Sequence, residues 1–488
     1  MWKCCKCGWL NSEDFCLHCK TRKNDPMGHP NTKYNTYLPT SETSYEKPSI
    51  NSPRHEHVSK GELFFFFMAI IFFASIIAFT EMAAHSISSS ENRNPVTYSS
   101  ECTCHLNEGE TTTQIENHDD LMPAIISIDH DRSFEDYTPI FVAAGGSRSY
   151  VITEGGTLWN WGVSSNRPTK GIMVNSPVPV PIMEDVVFVS AGTRHTMVIT
   201  EDATLWGWGQ SCCGQIGNGI RADWQPIPVP VLENVIYVSV GARSHTMAIT
   251  EDGTLWGWGR NNDGQLGIGT GGGGFFAGHI VYPYPTRVKE NVRSVSAASS
   301  HTIAITNDGN LWAWGSGRNL GIGAEISNDE RLTNGYGLAP ILIMEDVISA
   351  SASSHTMAVT SDGTLWGWGD NRSGRVTEPE SLQQIPAPLP IKDNIVSVYA
   401  ISSRTFAIDS DNTLWAWGGN GRGGVGNGTN DSGPTPYIIL ENIVAIAGES
   451  HTLAIDSDGV LWVWGSNRSG QLGDGSSVES RNHPVRLN

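Results

Sequence analysis

The sequence Leu-Trp-x-Trp-Gly occurs seven times in the C-terminal two-thirds of the chain. Its first tryptophans are Trp159, Trp206, Trp256, Trp312, Trp366, Trp415 and Trp462, spaced 47, 50, 56, 54, 49 and 47 residues apart. A repeat at this period must be one supersecondary unit used seven times. Helical pairs are excluded, because glycine and proline interrupt every unit. Four short strands per unit fit the length. Residues 138–488 are therefore expected to form an all-β, seven-bladed β-propeller.

One unit shows how such a blade is encoded. Val238-Ser-Val240 alternates briefly, and His245–Thr250 reads as a strand with His245, Met247 and Ile249 on one face. Asp252-Gly253 is a hairpin signal. The return strand puts Trp256 and Trp258 on one face and Leu255 and Gly257 on the other. A Gly-Gln-Leu-Gly-x-Gly loop follows at 264–269. Proline-rich stretches such as Pro177–Pro181 and Pro226–Pro230 cannot donate to a ladder and are expected at blade edges. The last residues, 484–488, are expected to complete a blade begun at the N-terminal end of the ring. A histidine recurs at His195, His245, His301, His355 and His451, with Arg148 and Arg404 in that slot in two other units. A catalyst is needed once, whereas these recur, so they are expected to be inter-blade hydrogen-bonding scaffold.

The repeat Gly-x-x-His-Thr-x-Ala-Ile-Thr-x-Asp-Gly-x-Leu-Trp-x-Trp-Gly, followed by Gly-Gln-Leu-Gly-x-Gly, resembles the repeats of the regulator of chromosome condensation family. The resemblance covers about residues 139–488 and implies a seven-bladed propeller. The family's founding member is a guanine nucleotide exchange factor that also binds nucleosomes, and bacterial relatives include secreted propellers that bind β-lactamases. The resemblance thus implies binding of proteins more firmly than any one activity.

The N-terminal part has a different character. Five of the nine cysteines lie in the first 19 residues. Cys4-x-x-Cys7 and Cys16-x-x-Cys19 have the spacing of two thiolate knuckles, so residues 1–20 are expected to be a zinc ribbon holding a structural Zn2+. The pattern resembles short zinc ribbons that head many bacterial membrane proteins. Residues 21–60 are polar and proline-containing and read as a flexible linker. An uncharged apolar run from Leu63 to Phe79 leads to an expected transmembrane signal-anchor helix over 61–84. Lys47, Arg54 and Lys60 precede it and Arg93 follows, which places the N-terminus in the cytoplasm and the propeller outside the cell. Residues 85–137 are Ser/Thr/Glu-rich and read as a disordered stalk.

Charge narrows the partners. The net charge is −19, and it lies in the larger part, since residues 1–60 hold nine Lys/Arg against six Asp/Glu. An acidic bulk repels phosphate backbones, so nucleic acid is not expected as a partner. No nucleophile motif or phosphate loop is present, so neither catalysis nor a small-molecule substrate is expected. Function is expected where the repeat breaks its rhythm. The inserts Gly271–Pro285, with Phe275, Phe276, Tyr282 and Tyr284, and Ala324–Pro340, with Arg331 and Tyr336, supply aromatic and arginine anchors. The expected function is a membrane-anchored, surface-exposed platform for another protein or a cell-wall polymer. The alternative is an exchange factor or signalling regulator for a small GTPase, with the propeller inside the cell. The vicinal Cys212-Cys213 replaces the Asn/Asp of other repeats and is expected to be an inert pair.

Overall fold

The computed structural model describes residues 133–488, apart from 163–174, 243–244, 273–278, 324–330, 379–380 and 488, together with the backbone of five short strands nearer the N-terminus. Two compact units divide the chain at Ser59/Lys60. In the first, Trp2–Lys3 pairs antiparallel with Leu10–Asn11, and Phe15–Cys16 with Thr21–Arg22. Cys4 and Cys7 fall between the strands of the first pair, and Cys19 between those of the second. Among the described residues no helix is long and apolar enough to cross a membrane. The expected anchor at 61–84 lies outside them.

The second unit holds seven antiparallel sheets, each with four consecutive strands of the repeat region. In the third blade the order is Val235–Gly241, His245–Thr250, Leu255–Arg260 and His279–Lys289. The fourth strand of the repeat carries two or three prolines in five blades and a single one in blades four and seven, Pro340 in Tyr336–Met344 and Pro484 in Ser480–Arg486. The first strands contact one another in sequence around the ring, and the seventh, Ile443–Gly448, contacts the first, Pro139–Gly145.

Size complementarity sets the packing within each blade. The residue between the two tryptophans lies opposite the third residue of the histidine strand. Where that residue is glycine the partner is Met197, Met247 or Met357; Ile303 and Phe406 face alanine, and Leu453 faces Val463. A Cβ on Gly257 would lie 3.0 Å from the Met247 thioether. The small side of the Trp strand therefore makes room inside its own sheet, a finer role than letting the neighbouring sheet approach. Between blades, the Met/Leu face of one sheet meets the tryptophan face of the next. Met197, Ile199 and Leu205 of blade two pack with Val238, Ala248 and Trp258 of blade three.

Ring closure differs from the sequence expectation. The terminal strand Ser480–Arg486 pairs with Leu461–Ser466 of its own blade, and the first blade is complete from Pro139–Gly145 to Ser176–Met183. No strand is exchanged. Closure is by packing: Val151, Trp159 and Trp161 of blade one bury against Leu453, Leu461 and Leu472 of blade seven. Ser149 Oγ donates to the Gln471 carbonyl at 2.7 Å, and Trp161 Nε1 donates to the same oxygen at 2.9 Å. Each pair of neighbouring blades already offers such an interface, so a shared blade is not needed to complete the ring.

The stretch read as stalk also carries structure. Phe134 is buried against Trp159 and Trp161, and Tyr137 lies 5.5 Å from the Trp159 ring. The ring core thus begins before residue 138. Further upstream, Val96–Tyr98 adds a fifth strand to blade three, antiparallel to the start of His279–Lys289. Around the axis, Phe141, Phe188 and Tyr237 are in successive ring contact at 4.8 and 5.0 Å, whereas the matching residues of blades four and five are Ser294 and Ser349. Burial, with a smaller contribution from Tyr399 three blades on, pushes the Tyr237 phenol up to about 12.

Ser149 is the only hydroxyl bridging the last and first blades among these closing contacts. Ser149→Ala would leave the His451 ring N–H, 2.7 Å away, buried without its acceptor. The expected loss is ~1–3 kcal/mol in urea unfolding. An unchanged midpoint would contradict closure through this contact.

Candidate functional site

The recurring polar residues come together between blades. His245 Nε2 lies 3.1 Å from Thr302 Oγ1, and His195, His301 and His355 reach Thr246, Thr356 and Thr405 at 2.8–3.0 Å. His451 reaches Ser149 at 2.7 Å. Each hydroxyl in turn donates to a loop carbonyl of the preceding blade: Thr246 to Gln215 at 2.9 Å, Thr302 to Gln265 at 2.7 Å. Trp258 and Trp314 donate to the same two carbonyls at 3.0 and 2.9 Å. A hydroxyl has one proton, and here it goes to the carbonyl. The hydroxyl oxygen must then accept from the imidazole, which fixes the Nε2–H tautomer. The Nδ1 atoms of His245, His301, His355 and His451 are buried and without a hydrogen-bond partner, as a neutral ring requires. Burial is the main cause that lowers the pKa to about 3 for His195, His245, His355 and His451 and about 4 for His301. These residues are scaffold, as expected.

The two arginine units use other means. In blade one, Tyr150 O–H takes over the bond to Thr196 at 3.0 Å, while Arg148 donates to Asn160 at 3.1 Å. In blade six, Arg404 donates to the Glu449 carbonyl, and a Cβ on Gly424 would collide with the Arg404 guanidinium. Gly424 occupies the position that is Gln in three other loops. The missing Gln and the missing His are thus one paired change.

The residues expected to bind a partner are partly united. Tyr282 O–H and Thr270 Oγ1 are 2.7 Å apart, and a Cβ on Gly272 would lie 3.5 Å from the Tyr336 ring. The loop of blade three therefore links Tyr282 to Tyr336 on blade four. Tyr284 lies apart, leaning on Gly219 of blade two and 49% exposed. Tyr282 and Tyr284 belong to the outer strand His279–Lys289 and not to a loop, because the strand is extended to 11 residues. Arg331 is exposed beside Ile322. Phe275 and Phe276 lie outside the described residues, as do the side chains of Cys4, Cys7, Cys16 and Cys19. Among the described residues no group of three or more His, Cys, Asp or Glu is placed to hold a metal. Cys212 and Cys213 are buried with their sulfurs 4.0 Å apart and form no disulfide.

The RCC1-like domain matches residues 77–378, and the regulator of chromosome condensation (RCC1) repeat matches 444–471 and 458–488. The chain belongs to the RCC1-like family. Protein pim1 of Schizosaccharomyces pombe is 29% identical over 121 residues, 23% of this chain and 22% of pim1. Human E3 ubiquitin-protein ligase HERC2 is 32% identical over 87 residues, 18% of this chain and 2% of HERC2. The chain thus matches less than a quarter of these relatives' length. Yeast RCC1 (Prp20), solved with Kap60, superposes with a TM-score of 0.58 at 18% identity, covering 78% of this chain and 91% of that one. That likeness shows the fold alone.

Outside the repeats, sequence reasoning missed the turns between blades. Asp185, Asn234, Asn291, Asp346, Asn394 and Asn442 all adopt left-handed φ between 56° and 66°. Asn and Asp tolerate that conformation, and the recurring Asn/Asp just before Val or Ile was the available signal.

The neutral histidines give a pH dependence with a definite sign. Above 6.5 both folded and unfolded rings are neutral. Below it the unfolded rings bind protons and the folded rings do not, so stability falls as pH falls toward 3–4. Aspartates lowered from 3.8, such as Asp202 and Asp252, add to this only below about 4. The melting temperature should therefore drop between pH 6.5 and 4.5. His245→Gln, which keeps an N–H donor, should reduce proton uptake on unfolding by about one.

Proposed function

We propose that this chain is a membrane-anchored, surface-exposed platform that binds another protein or a cell-wall polymer and has no catalytic role. The observation that carries this reading is that the repeated His, Thr and Trp side chains are committed to hydrogen bonds between blades. What projects from the ring is loop and strand that differs from blade to blade, and the linked Tyr282–Tyr336 region, with Arg331, is of the aromatic and arginine type that anchors partners. Membership of the RCC1-like family fits a non-catalytic binding protein or regulator. A structure of a relative, yeast Prp20p, is described with its binding to Gsp1p and histones.

In this reading residues 61–84 anchor the chain with its N-terminus in the cytoplasm. Cys4, Cys7, Cys16 and Cys19 hold a Zn2+ in a closed four-thiolate site, which leaves no open position for chemistry. What supports the ribbon is the spacing of Cys4-x-x-Cys7 and Cys16-x-x-Cys19. The second reading, an exchange factor or signalling regulator inside the cell, rests on membership of the RCC1-like family.

Topology separates the two. Protease added to intact cells should remove the propeller and spare the N-terminal segment; full protection would overturn the surface reading. Affinity capture with the full chain should then recover a surface partner. Tyr282→Ala with Tyr336→Ala and Arg331→Ala should weaken capture about tenfold or more while the melting temperature stays within a few degrees. For the ribbon, elemental analysis should give about one zinc per chain, lost in Cys4→Ser with Cys16→Ser.

A further inference from the structure

The face opposite the long loops has its own organisation. Every first strand opens with a β-bulge whose extra residue is the second of the strand, as between Val235 and Tyr237 or between Val347 and Ser349. Because the first strands ring the axis, the bulged residues form a collar around it. Ile236, Ile348, Val396 and Val444 are 44–50% exposed there, Ile140 and Val187 are half-buried, and the fourth blade contributes Arg293. Arg293 donates sideways to the Val347 carbonyl of the next blade. Six of seven positions are aliphatic; Ile140 and Val187 pack against the inter-blade clusters, and Ile236, Ile348, Val396 and Val444 face solvent.

Acids surround this collar. The turns that lead into the first strands carry Glu184, Glu233, Glu290, Glu345, Asp393 and Glu441. The hairpins beside them carry Glu154, Glu201, Glu251, Asp308, Asp362 and Asp458, all exposed. The two sets adjoin, since the Glu201 and Glu251 amides donate to the Asp185 and Asn234 carbonyls at 2.9 Å. The face's cations are few and mostly engaged. Arg287 pairs with Glu290 at 2.6 Å, and Lys289 and Lys392 lie over the Trp312 and Trp415 rings. The opposite face instead exposes Arg194, Arg318, Arg331, Arg372, Arg422 and Arg468.

We infer that the acidic face is a docking surface for a lysine- or arginine-rich protein segment that seats an apolar side chain in the aliphatic collar. This rests on the protein-binding reading above and names a second partner and its place. An apolar centre with a charged rim is the anatomy of a protein interface. The rim's sign selects the partner. Anionic lipid headgroups and nucleic-acid phosphates are repelled by it, whereas a basic segment is steered to it and held by long-range attraction.

The test uses the full chain in a mild non-ionic detergent and fluorescence anisotropy. The probes are a labelled lysine-rich peptide with a central Leu-Leu pair, an all-lysine peptide, and a glutamate-rich peptide with the same Leu-Leu. The first is expected to bind, more weakly as salt rises. Ile236→Asp with Ile348→Asp and Val444→Asp should weaken it about tenfold or more, at unchanged melting temperature. Glu233→Gln with Glu345→Gln and Glu441→Gln should flatten the salt dependence. Equal binding of the glutamate-rich or all-lysine peptide would overturn the inference. So would binding seen only after residues 1–60 are removed, which would make the chain's own basic segment the occupant. Self-association abolished by the same Asp variants would also overturn it, in favour of a second copy. If captured partners respond to Tyr282 and Tyr336 but nothing basic binds the collar, this inference falls while the protein-binding reading stands.

Discussion

Among the described residues, one loop carbonyl oxygen in each of six inter-blade gaps holds the ring together. At Gln215, Gln265 and Gln471 it accepts two bonds, from a tryptophan of the next blade and from the hydroxyl beside that blade's histidine position. The hydroxyl then accepts from the histidine of the preceding blade. This junction decides several other things. It brings the loop so close to the ring that a Cβ on Gly217 would lie 2.6 Å from Trp258 Nε1, which is why Gly217 and its equivalents are glycine. It requires an uncharged imidazole, because a second ring proton would have no acceptor in a buried site. It also orders the tryptophan, which fills the space between sheets.

At the two arginine positions the junction changes in matched sets. Arg404 replaces a histidine, and the loop opposite has lost its glutamine to Gly424, which gives the guanidinium its space. Arg148 replaces another, and Tyr150 supplies the hydroxyl contact instead. Blade five, with Arg375 in the glutamine slot, keeps the bond from Thr405 at 2.6 Å, but Trp417 of blade six is left with a buried, unpaired ring N–H. This interface lacks one of the two donors that the other described interfaces supply to the loop carbonyl.

Repetition made much of this legible in the sequence. Seven Trp pairs fix seven blades, alternation fixes which face each Trp and Met takes, and proline marks the outer strand. The recurrence of histidine read as inter-blade scaffold, and each of the five rings does meet a hydroxyl of the next blade. Closure was not legible, because a ring closed by strand exchange and one closed by packing need the same repeats. The pairing of Arg404 with Gly424 was hidden for a different reason. The two stand 20 residues apart in the chain and read as unrelated lapses until the fold sets one against the other.

The acidic collar was hidden by the same logic that exposed the fold. Its exposed aliphatic residues, Ile236, Ile348, Val396 and Val444, sit at the start of strands that read as core, at the bulged position. Its acids read as turn formers, which they also are: an acid followed by Asn or Asp at left-handed φ ends one blade and starts the next. Repetition therefore does more than build a scaffold here. Six copies of a turn, each harmless alone, sum to a ring of like charge about an axis, and such a field acts at distances where no single side chain would. In the two proposals made above, binding would use loops that break the repeat on one face and residues that obey it on the other.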